Sequence, residues 1–401
     1  MGSKITVGLV YGGKSGEHEV SLQTAYAVMR EFDYKKYTIK PFYITKTGEW
    51  KTGAALLAPP ADANALRFGD GDGGTSSRSL APLFSALDDS ALGESSKAAN
   101  SPLTKTAKQA AISGQSGAIA EGGDSESGSI DVMFPLLHGT FGEDGTIQGL
   151  FEMANIPYVG AGVLASAVGM DKIMMKKIFA QEGLPQCVFR YFNRAQWKKD
   201  QEYQLLECEI SLGYPCFVKP ANLGSSVGVS KAKNREELIA AVEYAFRFDR
   251  KVIVEEFIDA REIEVSVLGN DEARASVPGE IAPSNEFYDY KAKYIDGKSS
   301  MIIPAELPQE TTDEIREMAI RAFQAIDGSG LSRVDFFLQK QDNKLYINEL
   351  NTLPGFTPFS MYPLLWRETG VSYKELLDTL VSLAIERHAE KQNIDFIGET
   401  L

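Results

Sequence analysis

The sequence SRVDFFL occupies residues 332–338, and the sequence LYINELN occupies residues 345–351. Both segments are rich in apolar, β-branched and aromatic residues, and the polar residues 339–344 between them are typical of a turn. The pattern therefore predicts two antiparallel strands joined as a hairpin. Folding this hairpin about Asp342 determines which side chains face each other across the two strands.

The predicted register places two carboxylates in direct opposition. Asp335 lies across from Glu349, and Arg333 lies across from Asn351. Like charges across an antiparallel pair repel, so the arrangement indicates a cation between them. Asp, Glu and Asn offer hard oxygen ligands, which suit Mg²⁺ over the phosphates of a nucleotide. An exposed hairpin with simply solvated charges is the alternative at this point, because strand alternation fixes only a face.

Length, composition and charge bound the function. A chain of 401 residues predicts two or three domains, and 43% hydrophobic with 24% charged residues is typical of a soluble globular protein. The net charge of −14 argues against nucleic acid as the main partner. A small anionic substrate held by a few local lysines is compatible with that charge.

Cysteine use and hydropathy indicate a compartment. The three cysteines, Cys187, Cys208 and Cys216, have no metal-ligand spacing and fit a reducing environment. We find no signal peptide and no apolar run long enough to span a bilayer. These features predict a cytoplasmic protein without a membrane partner.

The first part of the chain reads as an α/β domain with an insertion. Residues 4–11 predict a strand, residues 19–29 a helix and residues 38–44 a second strand. From about residue 59 to 129, Gly, Ser, Ala and Asp dominate and large apolar residues are few. Such a segment cannot bury enough surface to offset its ordering entropy, which predicts a largely flexible surface insertion.

Further elements follow the insertion. Residues 130–137 predict a buried strand, and residues 189–229 predict a β-rich stretch. The pattern also predicts a helix over 311–327, in which Thr311 and Glu314 have the spacing of a capping box.

The N-terminal Gly-rich turn admits two readings. Residues 8–15, GLVYGGKS, literally match the P-loop pattern, which would make the chain a kinase that uses Lys14. Because Gly8 lies inside the predicted strand, we favour a different use, in which the turn presents Glu17 at a helix N-terminus. That carboxylate then binds a substrate ammonium, or it simply interacts with the helix dipole. The neighbouring His18 is predicted to be solvated.

Three further segments could carry chemistry. The segment NLGSSVG at residues 222–228 follows Lys219 and predicts a flexible cover for phosphates, with a loose hairpin turn as the alternative. The loop at residues 138–145 follows a buried strand and occupies a typical ligand position, unless it is a structural turn. Glu255 and Glu262 end one strand and begin the next, where they could accept from adenine and ribose or be ordinary surface charges.

In their order along the chain, these motifs resemble the D-alanine–D-alanine ligase family of the ATP-grasp superfamily. The resemblance covers nearly all of the chain outside the insertion, and the joint order of the motifs is more specific than any one of them. The motifs lie at residues 13–21, 138–145, 170–172, 217–228, 286–294, 332–335 and 348–356.

The resemblance implies an α/β (α+β) fold with three-domain ATP-grasp architecture. Residues 1–160 are then a Rossmann-like (pre-ATP-grasp) substrate domain that carries the insertion. Residues 161–255 are the central ATP-grasp subdomain with the Gly/Ser loop, and residues 256–401 are the C-terminal subdomain with the magnesium site. Residues 284–301 correspond to a mobile lid that excludes water.

The implied reaction joins two D-alanines with ATP through an acyl phosphate, giving ADP, phosphate and D-alanyl-D-alanine for peptidoglycan synthesis. The cofactors are ATP and two Mg²⁺ ions, with Mn²⁺ as a substitute, and the implied assembly is a homodimer. A ligase that uses D-serine or D-lactate as its second substrate is the related alternative. A non-catalytic metabolite-binding protein is a third class. Nothing favours it, because none of the polar residues expected for catalysis is missing from the sequence.

The resemblance implies a role for each matching residue. Arg333 and the backbone N–H of Gly355 form an oxyanion site, Tyr294 links through Ser225 to Glu17, and Lys293 with Tyr294 favours D-alanine over D-lactate. The implied metal ligands are Asp335, Glu349 and Asn351; the nucleotide contacts are Lys172, Lys219, Ser225, Ser226, Glu255, Glu256, Ile258, Glu262, Lys293 and Asn348; the substrate contacts are Glu17, His138, Arg333, Gly355, Ser360 and Met361; and the catalytic residues are Glu17, Ser225, Tyr294, Arg333 and Gly355.

Overall fold

The computed structural model describes residues 4–68, 130–282 and 300–395. The chain divides into two compact units. The first unit comprises the chain up to His138, Gly149–Val159 and the chain from Val381 onward, and the second comprises Gly139–Gln148 and Gly160–Leu380. The boundaries of the three domains expected from the sequence stay a prediction.

The described helices and strands alternate along much of the chain. The helices are α1 (His18–Glu31), α2 (Thr146–Met153), α3 (Val163–Met170), α4 (Lys172–Gln181), α5 (Arg194–Lys199), α6 (Gln201–Leu212), α7 (Arg235–Ala245), α8 (Gln309–Ala325), α9 (Met361–Glu368) and α10 (Tyr373–Gln392). The strands are β1 (Ile5–Gly12), β2 (Tyr37–Ile44), β3 (Trp50–Thr52), β4 (Val132–Leu136), β5 (Phe189–Asn193), β6 (Cys216–Pro220), β7 (Ser230–Ala232), β8 (Lys251–Glu256), β9 (Ala260–Gly269), β10 (Arg274–Ala275), β11 (Gly279–Ala282), β12 (Ser300–Ile302), β13 (Gly330–Gln339) and β14 (Leu345–Asn351).

The first unit contains a sheet of strand order β3-β2-β1-β4. Strand β1 is parallel to both β2 and β4, and β3 is antiparallel to β2. Val7, Leu9 and Val10 are fully buried in β1, because helices cover a parallel sheet and make its central strands apolar on both faces. The β1-α1-β2 crossover confirms the predicted α/β opening.

The second unit contains two antiparallel sheets. The larger has strand order β12-β11-β9-β13-β14, with β10 paired to β9. On one face, Val265, Val334 and Ile347 join a core with Phe323 of α8. Because side chains alternate along a strand, the polar residues of β9, β13 and β14 fall on the opposite face.

The smaller sheet has strand order β5-β8-β6-β7. Val218 of β6 and Val254 of β8 pack with Leu238 and Val242 of α7 in one core cluster. The same alternation places Lys219 and Glu255 on the other face, where α4 contributes Ile173 to a second cluster.

Two sequence predictions about local structure are wrong. The stretch 189–229, which was predicted to be β-rich, contains helices α5 and α6. Asn193 begins α5 with a capping box that includes Gln196, and Asp200 caps the N-terminus of α6. Helix α8 begins at Gln309, directly after Pro308, so Thr311 lies inside its first turn and forms no capping box.

The expected insertion is described only at its start. Residues Ala63–Leu66 form a short 3₁₀ helix, whose first turn Asp62 caps through the backbone N–H groups of Asn64 and Ala65. Residues 69–129 lie outside the described part of the chain. In the described segments, no helix combines the length and apolarity that crossing a membrane requires.

Candidate active site

The two predicted pairs of the hairpin are confirmed, but the predicted register is wrong from Phe336 to Leu338, where the pairing is shifted by one residue. Strand β13 pairs with β14 so that Arg333 faces Asn351 and Asp335 faces Glu349. The carboxylates that the sequence placed in opposition therefore lie on neighbouring strands of one sheet. The apolar residues that alternate with these polar ones in β13 and β14 point to the other face of the sheet, where they pack into the core and hold the two strands in place.

A β-bulge, which the sequence analysis missed, produces that register. Phe336 pairs with Ile347, while Asp335 pairs with Glu349, so Asn348 is the extra residue of β14. Without the bulge, Asp335 would face Asn348 instead of Glu349. The Oδ1 atom of Asn348 is buried and accepts no hydrogen bond from the residues that the structure describes. The bulge thus leaves an acceptor at the site that a bound group can satisfy.

A third carboxylate, also missed, extends the pair into a row across three strands. Glu264 of β9 faces Asp335, which in turn faces Glu349. We call these three residues the carboxylate row. The alternation of residues 261–265, REIEV, could have revealed Glu264, because it shares a strand face with Glu262.

Two cations compensate part of the carboxylate row. Arg333 donates to both oxygens of Asp335 at 2.7 Å, and its Nε lies 3.0 Å from Glu264. Lys172 Nζ lies 3.9 Å from Glu349. Burial alone lowers the pKa of Arg333, but Asp335 and Glu264 outweigh it and raise that pKa well above its ordinary value. Lys219 also interacts electrostatically with Glu349, so the row lies among cations as well as carboxylates.

The oxygen donors of the row and of Asn351 fit a hard divalent cation, with one restriction. Among the described residues, no three His, Cys, Asp or Glu side chains form a metal centre by themselves. Asn351, waters and oxygen atoms of a bound phosphate would complete a ligand set built on Asp335 and Glu349.

A second charged group, the lysine cluster, consists of Lys176, Glu255 and Lys219. Glu255 Oε1 lies 3.1 Å from Lys176 Nζ, and its Oε2 lies 2.6 Å from Lys219 Nζ. Glu255 is only 2% exposed, which excludes the reading as an ordinary surface charge. The sequence analysis missed Lys176, although a lysine among the apolar residues of α4 was the available signal.

Lys172 connects the lysine cluster region to the carboxylate row. Asp171 caps α4 by accepting from the backbone of Ile173 and Met174, and it also contacts Lys251. This cap places Lys172 at the first helical position, where its Nζ donates to the carbonyl of Leu223 at 2.7 Å. Burial lowers the pKa of Lys172, and Glu349 opposes that shift.

The Gly/Ser loop joins β6 to β7 beside these lysines. Ser225 and Ser226 adopt left-handed backbone conformations, with φ of +53° and +58°. Non-glycine residues in this region are uncommon and are enriched at ligand-binding loops. Positive φ at two successive residues also occurs in hairpin turns, so the phosphate-covering role of the loop stays a prediction.

Glu17 and His138 occupy corresponding ends of adjacent parallel strands in the first unit. Glu17 is the N-cap residue of α1 after β1, but its side chain does not cap the helix. His138 follows β4, is buried and lies with Nε2 3.1 Å from Thr24 Oγ1. His18, which the sequence analysis expected to be solvated, is only 2% exposed, with Nδ1 2.7 Å from the carbonyl of Gly13. It thereby supports the turn that presents Glu17.

The P-loop reading is wrong. Gly8 pairs with both β2 and β4 inside the sheet. A Cβ there would lie 2.4 Å from Met133 Sδ, so close strand packing explains this glycine. The backbone groups between Gly8 and Gly12 serve the strand ladders and cannot wrap a phosphate.

Comparison with known proteins agrees with this geometry. A family model described as "D-ala D-ala ligase N-terminus" matches residues 6–161, and one described as "D-ala D-ala ligase C-terminus" matches residues 178–382. The chain belongs to the D-alanine–D-alanine ligase family. A D-alanine–D-alanine ligase of Bacillus cytotoxicus is 52% identical over 394 residues, covering 98% of this chain and 99% of that protein.

Solved ligase structures share the fold. The D-alanine–D-alanine ligase from Coxiella burnetii has a TM-score of 0.72 at 33% identity, covering 98% of this chain and 97% of that one. The VanG D-Ala:D-Ser ligase from Enterococcus faecalis has a TM-score of 0.75 at 33% identity, covering 95% of this chain and 100% of that one. The predicted α/β, three-domain ligase fold is therefore confirmed.

Other ligase residues expected from the sequence lie around α9 and β8. The Ser360 side chain accepts from the backbone N–H of Thr357 at 3.0 Å, and Ser360 is the N-cap residue of α9, which begins at Met361. A Cβ on Gly355 would lie 2.9 Å from Ser360 Oγ, so glycine allows the two to approach. This arrangement presents the N-terminus of α9, a position suited to a carboxylate.

The structure gives less information on the remaining residues that were expected to contact the nucleotide or to belong to the lid. Glu256 accepts from the backbone N–H of Val188 at 2.6 Å, Ile258 is partly buried after β8, and Glu262 lies near the start of β9. Lys293 and Tyr294 fall among residues 283–299, outside the described residues, as does most of the expected lid. The roles of all these residues stay predictions.

Glu255 makes the free energy of unfolding depend on pH in the acid range. Burial raises its pKa, but Lys176 and Lys219 outweigh burial and lower the pKa to about 2 from 4.5. A depressed carboxyl pKa stabilises the fold above the unfolded value of 4.5 and loses that contribution as the pH falls towards about 2. We expect the free energy of unfolding, measured in urea, to fall across this window. The fall should be smaller in Glu255→Gln, which is less stable than wild type at pH 7, and unchanged in the exposed control Glu236→Gln.

Proposed function

We propose that this chain joins two D-alanines at the expense of ATP, forming D-alanyl-D-alanine, ADP and phosphate. One observation carries the proposal: the carboxylate row and the lysine cluster lie in the same compact unit, and Lys172, which lies 3.9 Å from Glu349, also interacts electrostatically with Lys219 and Glu255 of the cluster. Phosphoryl transfer between anions needs neutralised charge and positioned reactants above all. The family membership supports the same reaction.

The lysines bind the nucleotide phosphates in this proposal. Lys172 and Lys219 each keep 13% of their side-chain surface exposed, so they can turn towards a ligand. Ser225 and Ser226 cover the phosphates with hydroxyl and backbone donors. Glu255 and Glu262 accept from the adenine and the ribose, and the backbone between them, with Glu256 and Ile258, reads the base edge. Glu255 is also the counter-charge of Lys176 and Lys219, and Lys293 reaches the terminal phosphate.

Asp335, Glu349 and Asn351 would hold Mg²⁺, of which two ions are expected. The opposition of Asp335 and Glu349, and the Oδ1 of Asn348 that accepts no hydrogen bond from the described residues, support this assignment. When bound, the ions neutralise phosphate charge and polarise the transferring group. Asn348, on the bulge beside Glu349, contacts the nucleotide.

The substrate residues act on the two D-alanines. Glu17 holds the ammonium of the first D-alanine, with His138 nearby, and the carboxylate of that substrate attacks the terminal phosphate to form an acyl phosphate. Arg333 and the backbone N–H of Gly355 stabilise the oxyanion that forms when the second amine attacks.

The second D-alanine is held by its carboxylate. Ser360 and the backbone at Met361 receive this carboxylate at the N-terminus of α9. Tyr294 acts through Ser225 to close the site and exclude the water that would hydrolyse the acyl phosphate.

The decisive experiment is an ADP-release assay with defined substrates. D-Alanine, D-serine and D-lactate are offered singly and in pairs, with L-alanine as the control. We expect D-alanine alone to release ADP and to yield the dipeptide. Activity that requires L-alanine, or no activity with any of these substrates, contradicts the proposal.

A D-alanine–D-serine ligase is the second candidate. The match to the VanG D-Ala:D-Ser ligase favours keeping it, and a single hydroxyl is weakly rejected by a small pocket. The same assay separates the two, because a serine-specific enzyme releases more ADP with the mixed pair than with D-alanine alone.

The setting of the enzyme follows the same proposal. We expect a cytoplasmic homodimer that binds neither nucleic acid nor membrane, since ATP and D-alanine are its partners. Light scattering on the purified protein measures the mass, and a value of one chain contradicts the dimer.

A further inference from the structure

Lys176 is the most deeply buried cation of the lysine cluster. It lies on α4 with 1% of its surface exposed, and its Nζ is 3.1 Å from Glu255 Oε1. Cys187 Sγ is 3.5 Å away, and the ring centre of Phe189 is 5.8 Å away. Burial raises the pKa of Cys187 to about 11, so this thiol is neutral near pH 7 and Glu255 is the anion that Lys176 pairs with.

Lys219 occupies the other side of the same carboxylate. Its Nζ lies 2.6 Å from Glu255 Oε2, but 13% of its side-chain surface is exposed. If Lys219 turns towards a phosphate, its pairing with Glu255 weakens or is given up, because the ammonium moves away from the carboxylate. Lys176 is too enclosed to follow it, so the two lysines have different roles.

We propose that Lys176 is a positioning residue that keeps Glu255 paired, so that Lys219 can leave Glu255 and bind a nucleotide phosphate. The inference rests on the proposed nucleotide site and adds an exchange of partners within it. Lys176 itself touches no substrate.

The physical basis is the cost of a buried, uncompensated charge. A carboxylate with one counter-ion loses all compensation when that ion departs, and an unpaired buried charge is strongly disfavoured. With Lys176 in place, Glu255 keeps a counter-ion after Lys219 has turned to the phosphate. Without Lys176, Lys219 is bound to remain with Glu255, and the nucleotide loses its contact.

Lys176→Met tests this inference, because methionine keeps much of the side-chain volume and removes the charge. We expect the KM for ATP to rise about 10- to 100-fold, with a matching loss of ADP affinity in calorimetry. The kcat at saturating ATP should stay within about threefold, and the KM for D-alanine within about twofold. The matched control is Lys177→Met on the same helix, whose exposed Nζ lies 4.4 Å from the ring centre of Tyr191 and should leave all values unchanged.

A second background separates positioning from a merely structural role. In Glu255→Gln, Lys219 has no carboxylate to remain with, so adding Lys176→Met should weaken ADP binding less than about threefold. Glu255→Gln alone leaves Lys176 as an unpaired buried cation, and the double variant removes both members of that pair, which keeps the test available if Lys176→Met folds poorly.

Three results would overturn the inference. They are an unchanged affinity for ADP in Lys176→Met, an equal penalty in both backgrounds, and an equal loss of ATP and D-alanine affinity that follows the folded fraction. Failure of the wild-type protein to bind ADP or ATP is a different result, since it contradicts the proposed nucleotide site itself.

Discussion

Glu349→Gln is expected to lower the kcat of ADP-forming ligation about a thousandfold, which corresponds to about 4 kcal/mol of transition-state stabilisation. Glutamine has the same shape as glutamate but removes one charge from the carboxylate row. It also removes the anion that lies 3.9 Å from Lys172. An amide is a weaker ligand than a carboxylate for a hard cation, so metal binding should weaken together with catalysis.

Binding of Mn²⁺ measures that effect without turnover. Electron paramagnetic resonance of Mn²⁺ with ADP and the wild-type protein should show the bound ion, and Glu349→Gln should need at least about tenfold more Mn²⁺. The control is Glu317→Gln, on the exposed side of α8. A variant at Glu349 that retains wild-type kcat and wild-type Mn²⁺ binding removes this residue from the metal site.

Lys219→Met is expected to lower kcat/KM for ATP about 100- to 1,000-fold, whereas Lys14→Met should stay within about twofold of wild type. Lys219 supplies a positive charge beside Glu255 and close to the Gly/Ser loop. Lys14 is exposed in a turn of the first unit, after a strand whose backbone groups are used by the sheet.

The comparison of these two lysines distinguishes a ligase from a P-loop kinase. Steady-state ADP release at varied ATP gives both parameters, and thermal unfolding controls for folding. A large loss with Lys14→Met and none with Lys219→Met is the opposite pattern, and it contradicts the ligase assignment.

The hairpin shows how far sequence patterns can reach. Apolar alternation and a polar turn predicted both strands and the pairing of Asp335 with Glu349, which the structure confirms. The prediction assumed a regular hairpin, however, and the register changes at Asn348. A bulge depends on how the two strands pack against the rest of the sheet, so local patterns do not reveal it.

Two helices were missed although local sequence signals for them were present. Between β5 and β6 the sequence analysis expected strands, but Asn193 and Asp200 cap two helices. Those caps are local signals and could have been found from sequence. The burial of His18 could not be found from local sequence. Its ring contacts Tyr43 of β2 and the carbonyl of Gly13, which follows β1, and only the fold brings these groups together.

By itself, the sequence determined the ligase family, the α/β class and the main strands, since these depend on motifs and on local periodicity. Only the tertiary structure decided that Glu264 completes the carboxylate row and that Lys176 is buried against Glu255. Both facts arise from contacts between elements far apart in the chain. Whether a charged side chain is solvated or enclosed depends on what packs over it, and no local pattern carries that information.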